Sequence, residues 1–506
     1  MKWTFAAVGG GLIAAQFLGA PAQAAMTVSA DPTQNVSCAG GVCSATANGA
    51  VLNFKTLKSM LAHGDVTLVP GEQAQDIVFA STVRWASSRT LTLDAFRGVE
   101  IDRPMQATGE GGLTVTVNDG GQGGRLTFGM MGSASFMSLS SPLTINGQVY
   151  TLVPDIATLA SSVSSNALGH YALAAAYNAH PDGVYTSSPV TVPLGGVFEG
   201  LGNGIDGLQI DTASVGSSAG LFSSNLVGGL IENVRLTHLS IYAGSSNGLV
   251  SNVGGVVGLN AGTVRSAYVA GPVRGWAATA SGAIAGENTG TIDNSRSASN
   301  VSGNIAGGIA GENTGTIQDC MATKGVRAII NAGTPFAGGI VGANLLGTIT
   351  NSFATGPVAG IALSTVGGAV GNNTGTISYV YALGSVAGNN SSMAGGLVGS
   401  NVGSITQSYA AGQVTAGSLA TIGGFVGTDL TILPGISSSY WDTTTSGISS
   451  THGAGNKTND AGITGLTDAQ LKSGMPSGFS NQFWNQNGST NGSLPYLIQL
   501  QELPPT

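Results

Sequence analysis

Gly395-Gly396-Leu397-Val398-Gly399-Ser400-Asn401-Val402-Gly403-Ser404-Ile405-Thr406-Gln407-Ser408-Tyr409-Ala410-Ala411-Gly412-Gln413-Val414 is the cleanest copy of a unit that recurs seven times from residue 254 onward. The copies open at Gly254, Gly282, Gly307, Gly338, Gly367, Gly395 and Gly423, at spacings of 28, 25, 31, 29, 28 and 28 residues. A period of this length marks a stacked architecture, in which one unit cannot bury its apolar face alone and only its neighbours complete the core. About 28 residues fit three short strands and three turns, so each unit predicts one coil of a parallel β-helix. Seven coils at about 4.8 Å per rung span roughly 34 Å.

Aligned by rung, the units form columns. Asn260, Asn288, Asn313, Asn344, Asn373 and Asn401 share one corner, where stacked amides can hydrogen-bond along the axis and satisfy turn groups. A hydroxyl column (Thr263, Thr291, Thr316, Thr348, Thr376, Ser404) precedes an aliphatic one (Val264, Ile292, Ile317, Ile349, Ile377, Ile405) that points inward. Three residues on come Ala267, Ser295, Cys320, Ser352, Val380 and Ser408, all small or slender. Each is followed by a mostly large residue: Tyr268, Arg296, Met321, Phe353, Tyr381 and Tyr409. Neighbours along a strand face opposite ways, so the small column is expected inside and the large one outside, as an exposed aromatic stripe. Cys320 then reads as a buried free thiol standing in for Ser.

The chain has 506 residues, but a solenoid lengthens without new globular cores, so one elongated body is expected. With 81 glycines, 42% hydrophobic and only 8% charged residues, it is not a charged disordered chain. Lys2, the apolar run over 5–18 and the small-x-small site Ala22-Gln23-Ala24 predict a signal peptide cleaved before Ala25, and hence export. The run is too short and too glycine-rich to anchor the chain, and no later stretch is apolar enough to span a bilayer as a helix. Without Lys2, 15 basic residues face 24 acidic ones, a balance that disfavours nucleic acid and anionic membranes as partners. Cys38 and Cys43 flank a turn-forming Ala-Gly-Gly-Val, which in an oxidising compartment predicts a local disulfide.

The expected organisation is a signal peptide (1–24), a lead-in with that disulfide (25–50) and an N-terminal β-helix region without a clear period (51–194). A transition with one degenerate repeat (195–250), the clear repeats (251–445) and a C-terminal cap (446–506) follow. Residues 56–62 read as a helix that covers the open first rung, since Leu57, Met60 and Leu61 share one face. Strands are expected at 66–69, 91–93, 113–117, 126–128, 143–145 and 149–152, and a short helix or excursion within 155–179.

The best-kept unit, at 395–414, resembles the GLUG motif of filamentous haemagglutinin-like bacterial surface proteins. The flanks agree: Tyr171-Ala172-Leu173-Ala174 and residues 198–210 resemble the segment before such repeats. Ser439-Tyr440-Trp441-Asp442 and Pro495-Tyr496-Leu497 resemble their ending. The resemblance covers roughly residues 50 to 500 and implies a right-handed parallel β-helix, export, and a role in adhesion or as a spacer.

Parallel β-helices also carry polysaccharide lyases and glycoside hydrolases, which need paired carboxylates or a base beside cations. From Cys320 to Thr428 the chain has no Asp or Glu, and Lys324 and Arg327 are its only basic residues there. The acidic residues able to cluster lie earlier: Glu199, Asp206, Asp211 and Glu232, with Arg235 and His238. They form either a groove site or solvated turn residues. Residues 202–209 match most of a calcium-binding nonapeptide, but the motif does not recur in the next nine residues as a calcium roll requires. The expected function is therefore an exported, non-enzymatic module, adhesin-like or structural, touching glycans or surface proteins, without cofactor or metal. A carbohydrate-active enzyme using the carboxylates between Glu199 and Glu232 is the alternative.

Overall fold

The computed structural model describes residues 25–500, apart from 72–73, 122, 213–217, 245–251, 277–279, 330–332 and 432–434. The expected leader, 1–24, lies outside them. The described chain is mostly short strands stacked in parallel, coil upon coil, so the protein is a parallel β-helix.

A repeat coil holds up to five short strands rather than three. The coil that starts at residue 252 runs through Asn252–Gly254, Val257–Asn260, Thr263–Arg265, Tyr268–Ala270 and Val273–Gly275. Each strand pairs in parallel with its counterpart one coil on. Two devices make the extra corners. At the first, backbone packs on backbone: a Cβ on Gly338 would overlap the Val341 carbonyl, so only glycine fits. At the second, one residue per coil adopts positive φ, as Ser266 (51°) does between the third and fourth strands. Its counterparts are Asn294 (47°), Asp319 (53°), Asn351 (46°), Tyr379 (56°) and Gln407 (44°). This bend puts two residues three apart, such as Ile292 and Ser295, both inside. It also frees an N–H that the next coil's serine accepts: Ala267 donates to Ser295 Oγ, Cys320 to Ser352 Oγ and Val380 to Ser408 Oγ, each at 3.1 Å. The small column thus caps a bend as well as filling the core. Cys320 is buried within it as a free thiol, and burial pushes its ionisation up.

The asparagine corner is a continuous ladder. Asn260 Nδ2 donates to Asn288 Oδ1 (2.7 Å), Asn288 to Asn313 (2.7 Å), Asn313 to Asn344 (2.8 Å), Asn344 to Asn373 (2.8 Å) and Asn373 to Asn401 (2.8 Å). Each Nδ2 also reaches a glycine carbonyl of its own turn, as Asn344 does to Gly347 at 3.0 Å, which fixes the direction of the amides. The ladder extends one rung beyond these at each end. Asn225, in the degenerate copy, donates to Asn260, and Asn401 donates to Asp429. The last rung needs only an acceptor, and a carboxylate suffices there.

The N-terminal section is a shorter solenoid of the same kind, with coils such as Asp76–Phe79, Val83–Trp85 and Leu91–Asp94. Residues 25–50 are part of it rather than a lead-in. Ala25–Ser29 lies between Val51–Asn53 and Asp76–Phe79 in one sheet, and the hairpin Val36–Ala39/Val42–Ala45 carries the Cys38–Cys43 disulfide. Helix α1 (Phe54–His63) is capped by the Asn53 side chain and buries Leu57 and Leu61; it lies against Val83–Trp85, an edge strand.

The two sections share a sheet but not a core. Leu143–Ile145 and Gln148–Val153 form an antiparallel hairpin through Asn146-Gly147, both at positive φ. Gln148–Val153 then pairs in parallel with His170–Leu173, after the ten-residue helix α2 (Ile156–Ser165). The strand direction has reversed, and the core changes sides with it. Leu152 and Ala172 belong to the N-terminal core, whereas their neighbours Val153 and Leu173 belong to the C-terminal one. Reversing the strands and the side of the core together keeps the hand of the coil and shifts its axis sideways. The last N-terminal coil therefore leans on the outside of the following coils: Ala134 N donates to Leu201 O and Phe136 N to Ala174 O.

The aromatic stripe points outward, but it is not exposed. Phe353, Tyr381 and Tyr409 stack at centroid distances of 4.6 and 5.2 Å and are buried by the C-terminal segment. Phe479, Trp484 and Leu497 pack over them, and Tyr409 Oη donates to Pro495 O at 2.7 Å. The segment after residue 446 closes the end of the stack through Ile463–Leu466, which pairs with Ser439–Asp442, and then turns back as a lateral flap.

Candidate functional site

The structure separates the acidic residues between 199 and 232 into three places. Glu199 and Glu232 are register partners on adjacent coils, and their column continues through Arg265 and Asp293. Because the core changes sides at Val153, this column faces the N-terminal section instead of solvent, and Glu199 is 1% exposed. From that section Arg125 reaches across to Asp293 at 2.7 Å, while Arg265 lies 3.4 Å from Glu232 and 3.3 Å from Asp293. Glu199 accepts from Leu201 N (2.7 Å) and from Asn233 Nδ2 (3.0 Å). Arg235 donates to carbonyls of the same section, Met130 O at 2.7 Å and Gly129 O at 2.5 Å. The carboxylates do meet, but as a strut between two solenoids.

Electrostatics follow from that burial. Desolvation, and then the neighbouring Glu232, hold the Glu199 carboxyl well above its ordinary 4.5. Glu232 is also raised by burial, with Arg265 and Arg125 opposing. Raised acids bind protons more tightly folded than unfolded. Their contribution is thus complete below about pH 4.5 and lost as pH climbs through the folded value. Glu199→Gln keeps an acceptor for Leu201 N, gives up the one for Asn233 Nδ2 and removes the buried charge. Its urea midpoint is expected to gain on wild type steadily as pH rises from about 4 to about 8. A constant difference between the two proteins across that range would refute the buried-acid account.

Asp206 stands on the next strand, among Thr237 Oγ1 (2.5 Å), His238 Nδ1 (2.6 Å) and His180 Nε2 (3.6 Å). The hydrogen bonds of Thr237, foremost, and of His238 draw its ionisation down. Asp211 is exposed on a different sheet, in register with Tyr242. In the nonapeptide-like stretch, Asn203 Nδ2 donates to Ala134 O and Leu173 O, a structural use. Among the described residues, no three His, Cys, Asp or Glu side chains are grouped to hold a metal ion, and no helix is long and apolar enough to cross a membrane.

Sequence reasoning missed Arg125, which lies 168 residues from Asp293 and reaches it only because the core changes sides between them. The Asn146-Gly147 pair between two alternating strands was the available signal for that change.

No family model matches the chain, and no curated protein matches it. Among solved structures, one similar chain is described as a "putative immunoglobulin A1 protease from Bacteroides ovatus". It is 16% identical, with a TM-score of 0.37, over 70% of this chain and 92% of that one.

Proposed function

We propose that this chain is an exported, non-enzymatic β-helix protein that serves at the bacterial surface as an adhesin-like or extracellular structural and binding module. The observation that supports this reading is the use made of its clustered carboxylates. Glycosidases need two carboxyl groups on either side of an open sugar site. Glu199 and Glu232 instead sit under residues 125–136 and are matched to Asn233 and Arg265. Two shallow depressions, of about 430 and 360 Å³, are lined by Lys472, Asn485 and Gln486 and by Phe54, Lys58 and Arg84, away from these acids.

The test has two parts. In producing cells the chain is expected at the surface or in the medium, with Ala25 as its N-terminus by mass spectrometry; a cytoplasmic chain would end the proposal. The purified chain is expected to bind hits on a glycan array without turning them over. Turnover that disappears in Glu199→Gln and Glu232→Gln would establish the enzyme instead.

A further inference from the structure

The outer face of the sheet that holds Gln209–Thr212, Ser240–Ala243, Val273–Gly275, Val301–Gly303 and Val326–Ala328 carries an unexplained row of side chains. In register, one residue per rung, it reads Asp211, Tyr242, Arg274, Ser302, Arg327. Trp276 follows Arg274 by two residues, on the same face. Tyr242 and Trp276 are 43% and 46% exposed, and large apolar rings grouped on one face mark a contact surface in a way that a single ring does not. Gly244, on the rung of Tyr242, makes room for the indole: a Cβ there would lie 2.6 Å from Trp276 Cβ and 3.6 Å from the Tyr242 hydroxyl. Neither Arg274 nor Arg327 has a carboxylate partner among the described residues, although the chain carries a net charge of −8. Asp211 at the head of the row is the only acid in it. Beyond Arg327 the row continues over Ala359, Ala387 and Thr415, a low track.

We propose that this face binds an extended polysaccharide bearing carboxylates on its sugar rings, a uronate polymer, laid along the solenoid axis. Sugar C–H faces stack on exposed aromatic rings, and a guanidinium forks onto a carboxylate in a bidentate pair. Arg274 and Arg327 are two rungs apart, about 9.6 Å at the usual strand spacing, which suits charges repeating along a polymer. A folded protein partner would need roughly 800 Å² per side, far more than one row of side chains offers. The proposal rests on the binding-module reading and specifies its ligand.

The experiment is calorimetric titration of the full chain with oligogalacturonate, with neutral dextran and dextran sulfate alongside. Saturable binding of oligogalacturonate and none of dextran are expected. Arg274→Ala/Arg327→Ala and Trp276→Ala should each weaken binding by about tenfold or more, with unchanged melting curves, while Asp211→Asn should tighten it. Equal affinity in those variants, or no binding of oligogalacturonate, overturns the site. Dextran sulfate bound as tightly as oligogalacturonate makes it a generic anion patch and also overturns it. The module reading fails separately, by a cytoplasmic location or by cleavage of the bound sugar.

Discussion

Replacing Asn344 with Ala is expected to destabilise the repeat region by about 2–5 kcal/mol, because two buried amides each lose a hydrogen bond at once. Asn313 Nδ2 would keep only the Gly315 carbonyl and Asn373 Oδ1 only the Gly375 N–H, in a corner that water does not reach. Asn225 stands at the start of the ladder, and its Oδ1 has no partner among the described residues, so Asn225→Ala breaks the ladder bond to one neighbour only and should cost about half as much. Asn344→Asp separates hydrogen bonding from volume. The carboxylate still accepts from Asn313 but faces Asn373 Oδ1 and the Gly347 carbonyl with no hydrogen to give, so it should be at least as harmful as Ala. Urea midpoints of the full chain, with hydrogen exchange at the Leu345 and Thr374 amides, would measure this. If Asn344→Asp proved as stable as wild type, the column would be filling space and nothing more.

That ladder was legible from sequence because every rung solves the same problem with the same residue type. The left-handed bend one strand later was not. Its column runs Ser266, Asn294, Asp319, Asn351, Tyr379 and Gln407, with no glycine and no common chemistry, since the conformation is enforced by stacking rather than by local preference. Without this bend and the glycine corner, 28 residues divide naturally into three strands; with both, into as many as five. The inward small column was read correctly, but the bend gives it a second role, supplying serine oxygens to N–H groups that the bend leaves free.

The acidic residues were less legible for a different reason. Glu199, Asp206, Asp211 and Glu232 read as either a groove site or solvated turn residues, and two of the four pair in neither setting, under the N-terminal section. In a coil of about 28 residues, side chains a few positions apart sit on different sheets, whereas those one period apart are neighbours. Asp211 leaves the cluster for that reason, and Asp293, two periods beyond Glu232, joins it through Arg265. What no periodicity can supply is the contribution of Arg125, because the N-terminal section stands on a displaced axis and covers the column from outside. The same arrangement decides which faces remain free. One sheet is covered over its early coils by the N-terminal section and over its late coils by the flap, while the row through Tyr242 and Arg274 stays exposed or half-buried from Asp211 to Thr415.

The second large effect is expected at Trp484, where truncation to Ala should cost the flap about 3–5 kcal/mol. Trp484 is 1% exposed, stacks on Phe479 at 4.6 Å and lies 5.7 Å from Tyr409 and 6.0 Å from Tyr381. Other anchors of the segment are Pro495 O and Asn491 on the Tyr409 hydroxyl, Ser477 O on the Tyr440 hydroxyl, Ser480 N on Gln407 Oε1, Gln499 Oε1 on Asn351 and the Tyr379–Phe483 stack, all arranged around this ring. Losing the central ring should therefore release the flap while the coils beneath it, held by their own ladders and core, stay folded. Limited proteolysis should then cut within 475–500 while the far-ultraviolet spectrum stays unchanged, and the uncovered Phe353, Tyr381 and Tyr409 should bind a hydrophobic dye and promote self-association. If cleavage in the flap and loss of coil structure instead rise together, the flap is part of the cooperative core, and the buried stripe is needed to keep the last coils folded.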